Sequence, residues 1–137
     1  MENKEVKIIS EETVRKIKLC NDAGAVTMLK GYVKRAENVS PYKCGRTDKF
    51  PVGESGTLDM NNYNPALLEP NDAEKLGEEI ICEGDLLTAY AAVSAHDDEA
   101  GEIWFHYSSD SKKIAVFSLS GALWNLKCGF IRLEDIE

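Results

Sequence analysis

The strongest pattern of apolar and polar positions lies in the C-terminal half. Leu86–Ala95 (LLTAYAAVSA), Ile103–Ser108 (IWFHYS), Lys113–Ser120 (KIAVFSLS) and Phe130–Leu133 are β-branched or aromatic runs parted by short polar stretches, the composition expected of strands. The joints Asp97–Gly101, Ser109–Ser111 and Cys128–Gly129 are rich in turn formers, so residues 86–133 predict an antiparallel meander. Alternation sets Ile103, Phe105 and Tyr107 against Trp104 and His106, and Ala115, Phe117 and Leu119 against Ile114 and Val116. Both faces therefore carry apolar side chains, and a sheet of that kind needs cover on both.

The N-terminal part predicts one such cover. After a short lead-in strand over residues 5–9, Ser10 stands where a helix cap belongs, and Glu11 and Glu12 would complement the helix dipole. Val14, Ile17 and Asn21 or Cys20 then share a stripe, Ile9 can staple onto Val14, and Gly24 supplies a stop. A helix over about 11–22 follows. Ala25–Lys34 predicts a strand with Gly31 at a bulge. From Arg35 to Pro70 the pattern dissolves, with all four prolines, at 41, 51, 65 and 70. A short strand near Thr57–Met60 or a functional loop is expected there. Asn71–Leu76 can form a helical turn ended by Gly77, and Glu79–Cys82 a further strand. The fold class expected is α+β, a single domain over 1–137 in which an N-terminal helix packs on a twisted antiparallel sheet, itself curled toward a barrel if it closes its own second face.

Composition narrows the class more than the function. A chain of 137 residues with 43% hydrophobic and 29% charged positions folds without staples or metal. No run approaches the roughly 18 apolar residues of a spanning helix, and the start MENKEVKIIS lacks a signal-peptide core. A cytoplasmic protein with no membrane contact is the expectation.

Charge changes the picture. The net charge is −8, unevenly spread: residues 1–47 hold 10 basic and 6 acidic side chains, 48–110 hold 2 and 15, and 111–137 hold 4 and 3. A central segment of −13 repels nucleic acid and anionic lipid and attracts basic protein surfaces. Asp59, Glu69, Asp72, Asp97, Asp98, Glu99 and Glu102 are its candidate partner-binding residues.

Catalytic and metal chemistry find little support. Cys20, Cys44, Cys82 and Cys128 are too widely spaced for a zinc knuckle, and in a cytoplasmic chain they are expected as free thiols. Cys44, between Lys43 and Arg46, is the one candidate nucleophile, with His96 or His106 as base. With a hairpin centred near Glu99 and Ala100, the two histidines face other residues, which argues against a two-histidine metal site. Gly53–Thr57 lacks the lysine ending of a phosphate loop, Ser118–Gly121 lacks the first glycine of a nucleophile elbow, and Asp97–Glu102 lacks EF-hand spacing. No catalytic residue, metal or cofactor is assigned. Trp104 and Trp124 remain as stacking walls or interface anchors.

The leading expectation is a non-enzymatic acidic binding protein that acts on a macromolecule with a basic surface through 48–110, and that mimics nucleic acid if it is an inhibitor. Size, acidity and lack of motif are shared by many inhibitors of phage or mobile-element type and by many toxin immunity proteins. A small-ligand binder, and an enzyme using Cys44 or a carboxylate with a histidine, are the alternatives; a homodimer is compatible with all of them.

Overall fold

The computed structural model describes residues 8–39, 41–61, 81–94 and 96–136. The described residues form ten strands and no helix: β1 (Ile8–Val14), β2 (Lys16–Ala23), β3 (Thr27–Lys34), β4 (Tyr42–Arg46), β5 (Ser55–Asp59), β6 (Leu86–Val93), β7 (Glu99–Ala100), β8 (Ile103–Tyr107), β9 (Lys113–Gly121) and β10 (Lys127–Asp135). Two sheets result. One has the order β1-β8-β6-β3-β4, with β7 also on β6, and the other β10-β9-β2-β5. The pairs β1/β8 and β2/β9 are parallel and the rest antiparallel. Both sheets are mixed and open, so the described residues form an all-β sandwich rather than the expected α+β fold, and neither sheet closes into a barrel.

The expected helix over 11–22 is β1 and β2 instead. Lys16–Ala23 alternates strictly, burying Ile17, Leu19, Asn21 and Ala23 and turning Lys16, Lys18, Cys20 and Asp22 outward. A helix would have left Leu19 off its stripe; a strand buries it completely. Ser10 does bond the amide two residues on, accepting from the Glu12 N–H at 3.0 Å. That is the local bond of a capping serine, used here where the register of β1 against β8 breaks between Ile9 and Thr13. The chain then changes sheets within one residue, Arg15, whose guanidinium holds Asp59 at 2.8 Å.

The meander is also corrected. β6 and β8 form one hairpin and β9 and β10 another, but β8 and β9 lie in different sheets. The expected face alternation of β8 and β9 holds, because each hairpin turns one apolar face toward the other sheet. Cys128–Gly129 is strand, and the turn before it spans 122–126. The 86–107 hairpin turns earlier than expected: Ala91 faces Glu99 and Leu86 faces His106. Between these registers the partner strand gains two residues, a bulge at Gly101 and Glu102, where Glu102 takes a φ of 70°.

The remaining segments divide. β3 forms as expected, and Gly31 marks a register shift against β4. The stretch 35–70 contains β4 as well as the anticipated strand near 57–60, which is β5. Of the strand expected at 79–82, Ile81 and Cys82 are not strand, while its first two residues and the helical turn expected at 71–77 lie outside the described residues.

The core fills the space between the sheets. Ile17, Leu19, Ala115, Phe117 and Leu119 from one sheet meet Leu29, Leu87, Ala89, Ala91 and Phe105 from the other. Phe117 packs edge-on to Phe105 and Phe130, at 6.2 and 5.8 Å between ring centroids.

Candidate functional site

Strand direction collects several loops at one end of the sandwich. β2 and β9 run parallel and leave together at Ala23 and Gly121, into loops 24–26 and 122–126. β5 runs against β2, with Ser55 opposite Cys20, so the segment leading into it arrives at the same end. β3 starts there at Thr27 opposite Val93, which leads into the hairpin tip bearing His96, Asp97 and Asp98.

One buried side chain ties these loops together. Asn21 points inward from β2 and is 1% exposed. Its Nδ2 donates to the carbonyls of Ala25 (2.8 Å) and Phe50 (3.1 Å), and its Oδ1 accepts from the Ala23 N–H at 3.0 Å. Backbone bonds extend the junction: Gly24 N–H to Gly121 O at 3.2 Å, Gly53 N–H to Asn21 O at 2.8 Å, and reciprocal bonds between Thr27 and Phe50. Gly121, at φ 98°, lets the β9 chain turn; a Cβ there would lie 2.1 Å from the Asn125 carbonyl oxygen.

The loops held this way display apolar side chains. Val26, Val52, Leu123 and Trp124 are all exposed, Trp124 by 87%. They are four of the six exposed large hydrophobic residues among those described. Single exposed apolar residues are ordinary; four gathered on adjoining loops at one end of a scaffold are the pattern of an interaction surface.

The acidic candidates separate into those beside this surface and those elsewhere. Asp97, Glu99 and Glu102 lie at or next to the hairpin tip. Asp98 is there too, but Lys30 holds it at 3.0 Å. Asp59 sits at the opposite end of β5, where hydrogen bonds from the Arg15 guanidinium hold its carboxyl below the usual carboxylate range. Asp85 is buried and paired with Arg35 at 2.9 Å. N-terminal cations thus pair with Asp59, Asp85 and Asp98 and take these three carboxylates out of any free negative surface. Glu69 and Asp72 lie outside the described residues.

Trp104 does not serve as a stacking wall. It is buried on the outer face of its sheet, with the Lys34 ammonium 4.4 Å from its ring centroid. His96 sits at the hairpin tip, 4.0 Å from Glu99, whereas His106 bonds the Gly84 carbonyl near the other end. Among the described residues no group of three or more His, Cys, Asp or Glu side chains could hold a metal. No helix among them is long and apolar enough to cross a membrane.

The surroundings of Cys44 disfavour a nucleophile. It is buried beside the Met60 sulfur at 3.7 Å, and burial pushes its thiol up to about 12. Cys128 is buried as well, raised to about 12 first by burial and then by the charges of Glu99 and Glu102. Thiol labelling of the native protein should modify Cys20 and Cys82, which are partly exposed, and reach Cys44 and Cys128 only after unfolding. Rapid native labelling of Cys44, read by peptide mass, would restore it as a reactive centre.

An open cleft of about 520 Å³ adjoins the loop end, lined by Glu99 and Glu102 on one side, Lys127–Ile131 along β10, and Ser118 and Ser120 on β9. Comparison with known proteins yields no significant match: no family model, no characterised protein and no solved structure matches the chain.

Proposed function

We propose that the protein is a non-enzymatic binding module that engages another protein through the loop-bearing end of the sandwich. Trp124 and Leu123 are the apolar anchor, and Asp97, Glu99 and Glu102 the charged flank. The observation that carries this reading is the near-complete exposure of Trp124 on a turn fixed to a rigid sheet, at the same end as the acidic hairpin tip. Tryptophan exposed in this way costs solubility and repays it only when a partner covers it, while carboxylates at the edge speed encounter with a basic surface and orient it. Binding of this kind suits an inhibitor that occupies a basic working surface of its target, including one that otherwise meets nucleic acid.

The test is capture of a partner from the cell of origin by the intact protein and by two variants. Trp124→Ser should weaken the captured complex about thirtyfold, the effect of losing an interfacial anchor. Reversing Asp97, Glu99 and Glu102 to lysine should slow association and flatten its dependence on salt. Binding of the same partner at full strength by both variants would rule this surface out.

A further inference from the structure

The cleft beside the loop end lies across a strand edge that is unpaired among the described residues. β10 is the last strand of its sheet, and β7 bonds only to β6 among the described residues. The cleft runs from Ser118 and Ser120 on the outer face of β9, over the first half of β10, to Glu99 and Glu102 on the β7 side. Its floor is open because position 129 is a glycine: a Cβ built there meets no atom within 4 Å. Backbone donors and acceptors along a free edge accept an added strand, and the pockets beside that edge select its alternate side chains.

The geometry points to an extended basic segment of the protein partner as the occupant of this cleft, pairing along the open edge of β10 and placing a lysine or arginine side chain between Glu99 and Glu102. This rests on the reading of the loop end as a protein-binding surface and gives that surface a second element, continuous with the turn that carries Trp124. Charge complementarity selects the occupant. Two carboxylates line the cleft, Glu99 with the His96 imidazole 4.0 Å away and Glu102 in no ion pair among the described residues, and a cationic side chain entering between them gains charge-assisted hydrogen bonds. Main-chain pairing supplies the affinity and the carboxylates the preference for a basic sequence. Gly129 leaves room for the incoming side chain.

The probe is a nine-residue acetylated peptide alternating valine and arginine, titrated into the intact 137-residue chain. Two companion peptides carry glutamate in place of arginine, or N-methyl groups on alternate amides with the charge unchanged. The arginine peptide should bind and shift the backbone amide resonances of Lys127–Ile131. Affinity should fall about tenfold or more on N-methylation, in Gly129→Trp, which fills the notch, and in the Glu99→Gln, Glu102→Gln double variant. No binding of the arginine peptide, or binding unchanged by both N-methylation and Gly129→Trp, overturns the inference.

The two proposals fail separately. Capture of the native partner that survives Gly129→Trp but is lost in Trp124→Ser removes the strand-addition site and leaves the loop end standing. Capture lost in Gly129→Trp and in the Glu99→Gln, Glu102→Gln double variant but intact in Trp124→Ser removes the anchor reading instead.

Discussion

Truncating Phe117 to alanine should cost about 3–5 kcal/mol of stability, a large part of the roughly 5–15 kcal/mol that holds a domain of this size together. The residue is fully buried in the middle of β9, between the two sheets. Its ring meets those of Phe105 and Phe130 and passes so close to Gly101 that a Cβ there would lie 2.5 Å from it. On one side of that space Gly101 is held in place by its N–H bond to the Ala89 carbonyl at 2.8 Å. The converse change, Gly101→Val, should be nearly as damaging, since the new Cβ also meets the Ala89 oxygen at 2.8 Å. Urea unfolding followed by circular dichroism measures both; a loss below about 1 kcal/mol for Phe117→Ala would mean that the sheets do not pack through this ring.

Asn21→Ala should cost about 2 kcal/mol and should also weaken partner binding, although Asn21 is buried and touches no partner. Removing the amide leaves the Ala25 and Phe50 carbonyls and the Ala23 N–H without their side-chain bonds. Those groups belong to the loops that display Val26, Val52 and, through Gly24 and Gly121, the Trp124 turn. The loops should open more often, which hydrogen exchange at Ala23 would report, and pre-organisation of the binding end should be lost with them. Asn21→Asp keeps the acceptor but loses both donors, so it should share the defect. Unchanged exchange in both variants would show that the backbone bonds alone set these loops.

Much of the strand content was legible from residue alternation. β3, β6, β8 and β9 follow runs of β-branched and aromatic residues whose faces can be assigned by counting in twos. The N-terminal error has a specific cause. Ser10, Glu11 and Glu12 are the residues a helix start uses, and they masked the period-two pattern of Lys16–Ala23. An asparagine at an inward position of that pattern was a signal for a buried polar junction, but it has meaning only once the segment is read as a strand.

Sheet membership was not legible, because the parallel pairs β1/β8 and β2/β9 join segments far apart in the chain and no local residue announces them. The pairing of charges was illegible for the same reason. Arg15, Lys30 and Arg35 find Asp59, Asp98 and Asp85 across 44, 68 and 50 residues. Of the candidate site, Asp97, Glu99, Glu102 and Trp124 stood out by residue type, while their common location, and the opening over Gly129, depend on which strand edges the fold leaves bare.

The change of sheets at Arg15 also bears on how the chain is made. β1 lies against β8, and β2 has only the edge strand β5 until β9 arrives. At ribosomal rates of about 5–20 residues per second, these two opening strands wait roughly 5–20 seconds for their C-terminal partners. During that interval Ile17, Leu19 and the backbone edges beside them are open to any passing strand. The alternating lysines Lys16 and Lys18 on the other side of β2 put charge where such a nascent chain would otherwise stack on its neighbours.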